Sequence, residues 1–265
     1  MLAASRGLPD DHTMQNESAA RAVALITGVG RRSGIGAAIA QRLADDGWDV
    51  ATTYWSPYDD RMPWGRDADD SGAILTSGGR TVRIEADLED ATTAARVFNE
   101  VEERLGPVTA LVLCHAESVD SDILNTTVDS FNRHFAVNAR ASWLLVAEHG
   151  RRYRGASGAG RIVALTSDHT VGNLPYGASK GALDRIVLAA AREFAHLRIT
   201  ANVINPGPIN TGWMTPQQVE HVIARNPRGR AGQPSDTAAL VAFLCSPDGE
   251  WINGQLLHSD GGLEA

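Results

Sequence analysis

Short apolar runs alternate along the chain with longer segments in which hydrophobic residues recur at helical spacing. Ala22–Thr27 reads as a fully buried strand that ends in a glycine-rich turn, and Ile35–Ala44 follows as a helix. Asp49–Thr53, Thr81–Glu85, Ala110–Leu113, Arg161–Thr166 and Thr200–Ile204 are further strand candidates, and a last one lies near Gln255–Leu257. Between them, Thr92–Leu105, Val128 to about Arg152, Tyr176–Ala195 and Ser235–Cys245 carry helical periodicity, and a Gly/Ser-rich turn covers residues 155–160. Such alternation predicts right-handed βαβ crossovers and a parallel sheet covered on both faces. The fold class is therefore a single-domain, Rossmann-like, doubly wound α/β fold, whose ligands bind beyond the carboxyl ends of the strands.

Residues 1–20 lack an apolar core and mix Arg6 with Asp10, Asp11 and Glu17. They are expected to form a flexible tail, with Met14 an alternative start and residues 21–265 the single Rossmann-type domain. The segment Tyr54–Gly72 holds two prolines, two tryptophans and five aspartates, and reads as an irregular surface excursion near the cofactor or substrate. A net charge of −8 argues against nucleic acid or an anionic membrane as partner, and no apolar run reaches the length of a membrane span. Two cysteines, Cys114 and Cys245, are too few for a disulfide framework and fit a reducing, cytoplasmic setting.

One compositional feature points to chemistry. Of 24 lysines and arginines, only residue 180 is lysine. A compact ammonium on a flexible stem does there what a planar guanidinium cannot. Four residues earlier in the same helical stretch stands Tyr176, so the two share one face. A neighbouring ammonium is expected to lower a phenol's pKa toward the working range. The turn Thr27-Gly-Val-Gly-Arg-Arg-Ser-Gly-Ile-Gly36 lies between strand and helix, where glycines admit a pyrophosphate and the helix N-terminus supplies N–H groups. About 20 residues on, NAD-binding chains carry an acid for the ribose hydroxyl. Here the second strand ends Thr-Thr-Tyr-Trp55, with no acid before Asp59, while Arg31 and Arg32 sit in the turn as candidate ligands of a 2′-phosphate. NADP(H) is favoured, and NAD(H) stays open.

Taken together, Thr27-Gly28, Gly34-Ile35-Gly36, Asp87-Leu88, Val137-Asn138-Ala139, Ser167, Tyr176-Gly-Ala-Ser-Lys180, Asn205-Pro-Gly-Pro-Ile-Asn-Thr211 and Asp260-Gly-Gly262 resemble the short-chain dehydrogenase/reductase family, and within it the 3-oxoacyl-carrier-protein reductases. The resemblance runs from about Ala22 to Gly262. It implies a catalytic set of Asn138 (anchoring a relay water), Ser167 (holding the carbonyl oxygen), Tyr176 (exchanging the proton) and Lys180 (binding the nicotinamide ribose). For the cofactor it implies Gly28, Gly34, Ile35, Gly36, Asp87, Leu88, Ala116, Asn138, Tyr176, Lys180, Pro206, Gly207, Ile209 and Thr211, with no metal. The implied partner is a small carbonyl or alcohol substrate, a 3-oxoacyl thioester or small ketone, and the implied assembly a homotetramer or homodimer.

Three departures from the family pattern stand out. The glycine turn is longer by two residues. The segment after the fourth strand reads Cys114-His-Ala-Glu117 in place of Asn-Asn-Ala-Gly, with His115 either a second titrating group or a hydrogen-bonded structural residue. Ser167 lies only nine residues before Tyr176, a shortened interval that leaves Thr166 as an alternative stand-in. His169, Asn173, Trp213 and Met214 are the candidate substrate contacts. Two other readings, a dinucleotide-sensing regulator without turnover and a cofactor-free dehalogenase, are disfavoured because Tyr176, Lys180 and the glycine turn are all retained.

Overall fold

The computed structural model describes residues 21–67 and 78–264; the expected N-terminal tail and the end of the Tyr54–Gly72 excursion lie outside them. Seven parallel strands, β1 (Val23–Thr27), β2 (Asp49–Tyr54), β3 (Thr81–Glu85), β4 (Val108–Leu113), β5 (Arg161–Leu165), β6 (Thr200–Asn205) and β7 (Leu256–His258), form one sheet in the order β3-β2-β1-β4-β5-β6-β7. The strand order reverses between β1 and β4, and the crevice at that switch point is where a doubly wound sheet binds its ligand.

β1 and β5 are buried at every residue, because helices cover both faces of the sheet. Successive β1 side chains accordingly enter two different cores. Val23 and Leu25 pack with Phe98, Leu145 and Leu183 on one face, whereas Ala24 and Ile26 pack with Ile39, Leu43, Val241 and Leu244 on the other. The first face is covered by α3 (Thr93–Arg104), α5 (Ala141–Arg152) and α6 (Leu174–Glu193), the second by α1 (Ile35–Asp45) and α8 (Pro234–Cys245).

The long Val128–Arg152 helix is not uniform. It consists of α4 (Val128–His134), a π-helical turn over Phe135–Arg140, and α5. Two helices stand where none was expected. α2 (Ser56–Arg61) occupies part of the excursion after β2, and α7 (Pro216–Arg225) follows β6. α7 buries no residue and is held at its start by a reciprocal cap, in which Thr215 accepts from the Gln218 backbone and Gln218 accepts from the Thr215 backbone. Among the described residues, no helix is long and apolar enough to cross a membrane.

Candidate active site

A cleft of about 1130 Å³ opens at the carboxyl ends of β1, β2, β4, β5 and β6. That is larger than the usual few hundred Å³ of a small-ligand pocket and leaves room for a dinucleotide beside a second molecule. The switch point is stitched by Thr27, whose hydroxyl accepts from the backbone N–H groups of Cys114 (3.1 Å) and His115 (3.4 Å) and meets His115 Nδ1 at 2.7 Å.

The glycine turn fits a pyrophosphate. Gly28 has φ +75°, and a Cβ there would come within 2.6 Å of the His115 backbone, so the turn can lie against β4 only with glycine. A Cβ on Gly36 would meet the Gly28 carbonyl at 3.0 Å. α1 then starts at Ile35 with no side chain capping its first N–H groups, which leaves them for an anion. Gly28, Gly34, Ile35, Gly36, Asp87, Leu88 and Ala116 all line the cleft on this side. Pro206, Gly207, Ile209 and Thr211 line it opposite, with Gly207 (φ +64°) fitted so closely to Asp260 that a Cβ would lie 2.5 Å from the Asp260 Cβ.

The two arginines of the turn part company. Arg31 lines the cleft, donates to the Thr211 carbonyl (2.9 Å), stacks over the Trp64 ring at 4.5 Å and approaches Asp59 at 3.8 Å. Arg32 is exposed and outside the cleft lining, with its backbone N–H on Asp67, so its expected cofactor role is not supported by its position. Burial lowers the Arg31 pKa and raises that of Asp59, each opposed by the attraction between them; the Asp59 carboxylate also accepts from Trp64 Nε1 at 3.1 Å. Trp64 in turn stacks on Trp213, with ring centroids 5.3 Å apart and planes 12° from parallel. The excursion after β2 is therefore partly helical and forms one wall of the cleft.

Deeper in the cleft, Tyr176 and Ser167 line the same wall, and Ser167 is close enough to Tyr176 to draw the phenol's pKa down, while its Oγ accepts from the His169 N–H at 3.1 Å. Lys180 is 2 % exposed and donates to the Leu165 carbonyl (2.9 Å) and the His115 carbonyl (3.4 Å), while its Nζ lies 5.8 Å from the Tyr176 ring centroid. The expected lowering of the phenol's pKa is not met. Part of Tyr176 faces the cleft, yet burial pushes its phenol up to about 12, and only the neighbouring Ser167 pulls the other way. Burial also brings Lys180 down to about 8, against the opposing pull of Cys114 and Asp184.

Asn138 is fully buried on the π-turn and does not line the cleft. Its amide Oδ1 accepts from the Glu117 N–H (2.8 Å), and Nδ2 donates to the Glu117 carbonyl and to Ser179 Oγ, both at 2.9 Å. That side chain is a bracket between the β4 loop and α6, not a direct contact for the cofactor. His115 is likewise structural: Nε2 meets the Val137 carbonyl at 3.1 Å, and burial together with Lys180 lowers its pKa to about 3, so it stays neutral. Of the candidate substrate contacts, His169, Trp213 and Met214 line the cleft. Asn173 does not; it is buried at the start of α6 and donates to Ser118 Oγ at 3.0 Å. The sequence reading missed Tyr58 and Arg61 of α2, which line the cleft, Arg61 pairing with the buried Glu117, and Gln218 and His221 of α7, which line it too. No group of metal-ligating side chains occurs among the described residues.

Residues 28–264 match the family model described as Enoyl-(Acyl carrier protein) reductase. The uncharacterized oxidoreductase YjdA of Bacillus subtilis is 35% identical over 246 residues, covering 91% of this chain and 96% of that protein. The NADPH-dependent aldehyde reductase-like protein of Arabidopsis thaliana chloroplasts is 33% identical over 254 residues, covering 91% and 93%. A solved structure of a blue fluorescent protein from a metagenomic library, in complex with NADPH, superposes with a TM-score of 0.80 at 32% identity, covering 92% of this chain and 98% of that one. With the parallel sheet, the glycine turn at its switch point and the Ser167–Tyr176–Lys180 arrangement in the cleft, these matches establish that the chain belongs to the short-chain dehydrogenase/reductase family of nicotinamide-dependent oxidoreductases.

Proposed function

We propose that the protein reduces the carbonyl group of a small ketone or aldehyde with NADPH, with Tyr176 as the proton donor. One observation carries this reading: Tyr176 and Ser167 line the same cleft as the glycine turn, and the buried Lys180 Nζ lies 5.8 Å from the Tyr176 ring centroid. A reduced nicotinamide supplies a hydride when bound, and the residues of this chain handle the rest. Ser167 and Tyr176 both donate toward the carbonyl oxygen, where negative charge develops as the carbon is reduced. Because burial keeps the phenol protonated at neutral pH, Tyr176 is set to give its proton to that oxygen, which favours reduction over oxidation near pH 7. Lys180 would bind the nicotinamide ribose and offset the phenolate left behind, and Asn138 positions α6 for both through Ser179.

NADPH is the preferred form because Arg31 reaches into the cleft beside the glycine turn, and because relatives and a structural neighbour are named for that cofactor. Asp59 tempers the preference, since its carboxylate stands beside Arg31. A 3-oxoacyl thioester is one carbonyl class compatible with the cleft's volume, and a cytoplasmic homotetramer fits the family pattern.

The test is to mix the purified protein with NADPH and a panel of ketones and aldehydes and follow reduced-nicotinamide absorbance. Tyr176→Phe should lower turnover at least about a hundredfold, the low end for loss of a general acid, while NADPH still binds. Near-wild-type turnover in that variant would refute the mechanism.

A further inference from the structure

The loop after β4 puts a carboxylate where family members carry glycine. The Glu117 side chain is 4% exposed in the cleft wall and ion-paired with Arg61 of α2. Both peptide groups flanking its position are fixed, because Asn138 accepts from the Glu117 N–H and donates to its carbonyl. The buried Glu117 carboxylate accepts from Nη2 of the Arg61 guanidinium. The rest of that guanidinium lies over the Tyr58 ring at 5.0 Å, with 38% of the side chain exposed toward the cleft. Among the described residues, no other acceptor engages it. Tyr58, Arg61 and Glu117 line the same cleft as Tyr176, and the Asn138 amide ties the Glu117 backbone to Ser179, three residues from Tyr176 on α6.

The remaining cleft cations differ in placement. Arg31 is tied to Thr211 and Trp64, Arg133 pairs with Glu89, Lys180 is buried and donates to the Leu165 carbonyl, and Arg225 is exposed at the end of α7 with no carboxylate orienting it among the described residues. Among the described cleft residues, Arg61 combines a guanidinium held by a buried carboxylate with N–H donors left open.

We propose that Arg61, positioned by Glu117, is the specificity-determining residue for a substrate whose carbonyl is accompanied by a carboxylate, the class being oxo-acids rather than uncharged ketones. A guanidinium pre-oriented by one carboxylate presents its other edge for bidentate contact with a second, and little rotamer freedom remains to be lost. Glu117 partly offsets the positive charge, so the anchor gives orientation rather than very tight binding. The inference rests on the carbonyl-reductase reading, and it adds the substrate class.

The experiment has two arms. In the first, KM and kcat are compared for a homologous series of oxo-acids and their methyl esters with wild type, Arg61→Gln and Glu117→Gln. Wild type should favour the acids, and Arg61→Gln should raise KM for the acids about tenfold or more with little change for the esters. Glu117→Gln, with the competing carboxylate gone, should lower KM for the acids. An unchanged acid-to-ester ratio in Arg61→Gln overturns the proposal. In the second arm, binding of the unreactive carboxylate benzoate to the NADPH complex is followed through intrinsic tryptophan fluorescence, since Trp55, Trp64 and Trp213 line the cleft. Loss of benzoate binding in Arg61→Gln supports the anchor, and equal binding overturns it. If no carbonyl is reduced but benzoate binding still depends on Arg61, the reductase reading fails and the anchor stands.

Discussion

Trp64 and Trp213 stack face to face across the mouth of the cleft, joining the excursion after β2 to the segment after β6. Arg31 reinforces the junction by lying over Trp64 while donating to the Thr211 carbonyl. A stack so placed is expected to slow the escape of a dinucleotide bound in the cleft. An aromatic pair of this kind contributes ~0.5–1.5 kcal/mol beyond buried area. Trp64→Leu should therefore speed NADPH release about threefold to tenfold in stopped-flow displacement, and an unchanged release rate would mean the stack plays no part in retention.

Cofactor choice can be read on Arg31. Arg31→Ala is expected to weaken NADPH more than NADH, whereas Arg32→Ala, at an exposed position outside the cleft, should leave both unchanged. Asp59→Asn removes a carboxylate 3.8 Å from Arg31 and should increase the preference for NADPH. Titration of each variant with both nucleotides decides the matter; equal losses for the two nucleotides in Arg31→Ala would remove the case for a 2′-phosphate contact.

The pH dependence of reduction should follow Lys180. Its pKa is lowered to about 8, so the ammonium is present below that value and is lost as pH rises through it. Tyr176, near 12, stays protonated across the same window. The kcat/KM for carbonyl reduction should thus hold level from pH 6 to 7.5 and decline above about 8. A profile flat to pH 10 would show that the ammonium is dispensable.

Stability should have a different pH dependence, governed by two interior histidines. His149 sits on α5 between Phe98 and Tyr153, with neither ring nitrogen hydrogen-bonded, and burial lowers its pKa to about 4. For His115 the value is about 3. The unfolded chain binds these protons from about pH 6.5 downward and the folded chain does not, so stability falls as pH drops from 6.5 toward 4. His149→Phe should make the thermal midpoint less sensitive to acid and raise it at pH 5. Parallel melting curves for variant and wild type would count against this account.

Much of this architecture is written in local pattern. The largely apolar β1 and β5 runs and the helical spacing of Tyr176 and Lys180 are short-range signals, and the strands and α6 stand where those signals place them. α7 carried two unused signals: Thr215 and Gln218 have the spacing of a reciprocal cap, and Val219, Val222 and Ile223 recur at helical spacing behind it. The π-turn at Phe135–Arg140 widens a helix without changing which residues are apolar, so periodicity is blind to it. Long-range pairings carry no local mark. Arg61 with Glu117 and Arg31 with Thr211 exist only once distant loops meet. The phenol's raised pKa is likewise a product of burial, which overrides the simple argument from a nearby ammonium.

The bracket at Asn138 divides the molecule in a way that matters for redesign. Because its amide is shared between the β4 loop and Ser179 of α6, the parts that carry Tyr176 and Lys180 are welded into one block. α2 meets that block at Glu117 through the side chain of Arg61. A library confined to residues 55–64 and 213–218 would consequently retune which molecules are accepted while the chemical step is inherited intact, much as a tool holder takes new bits.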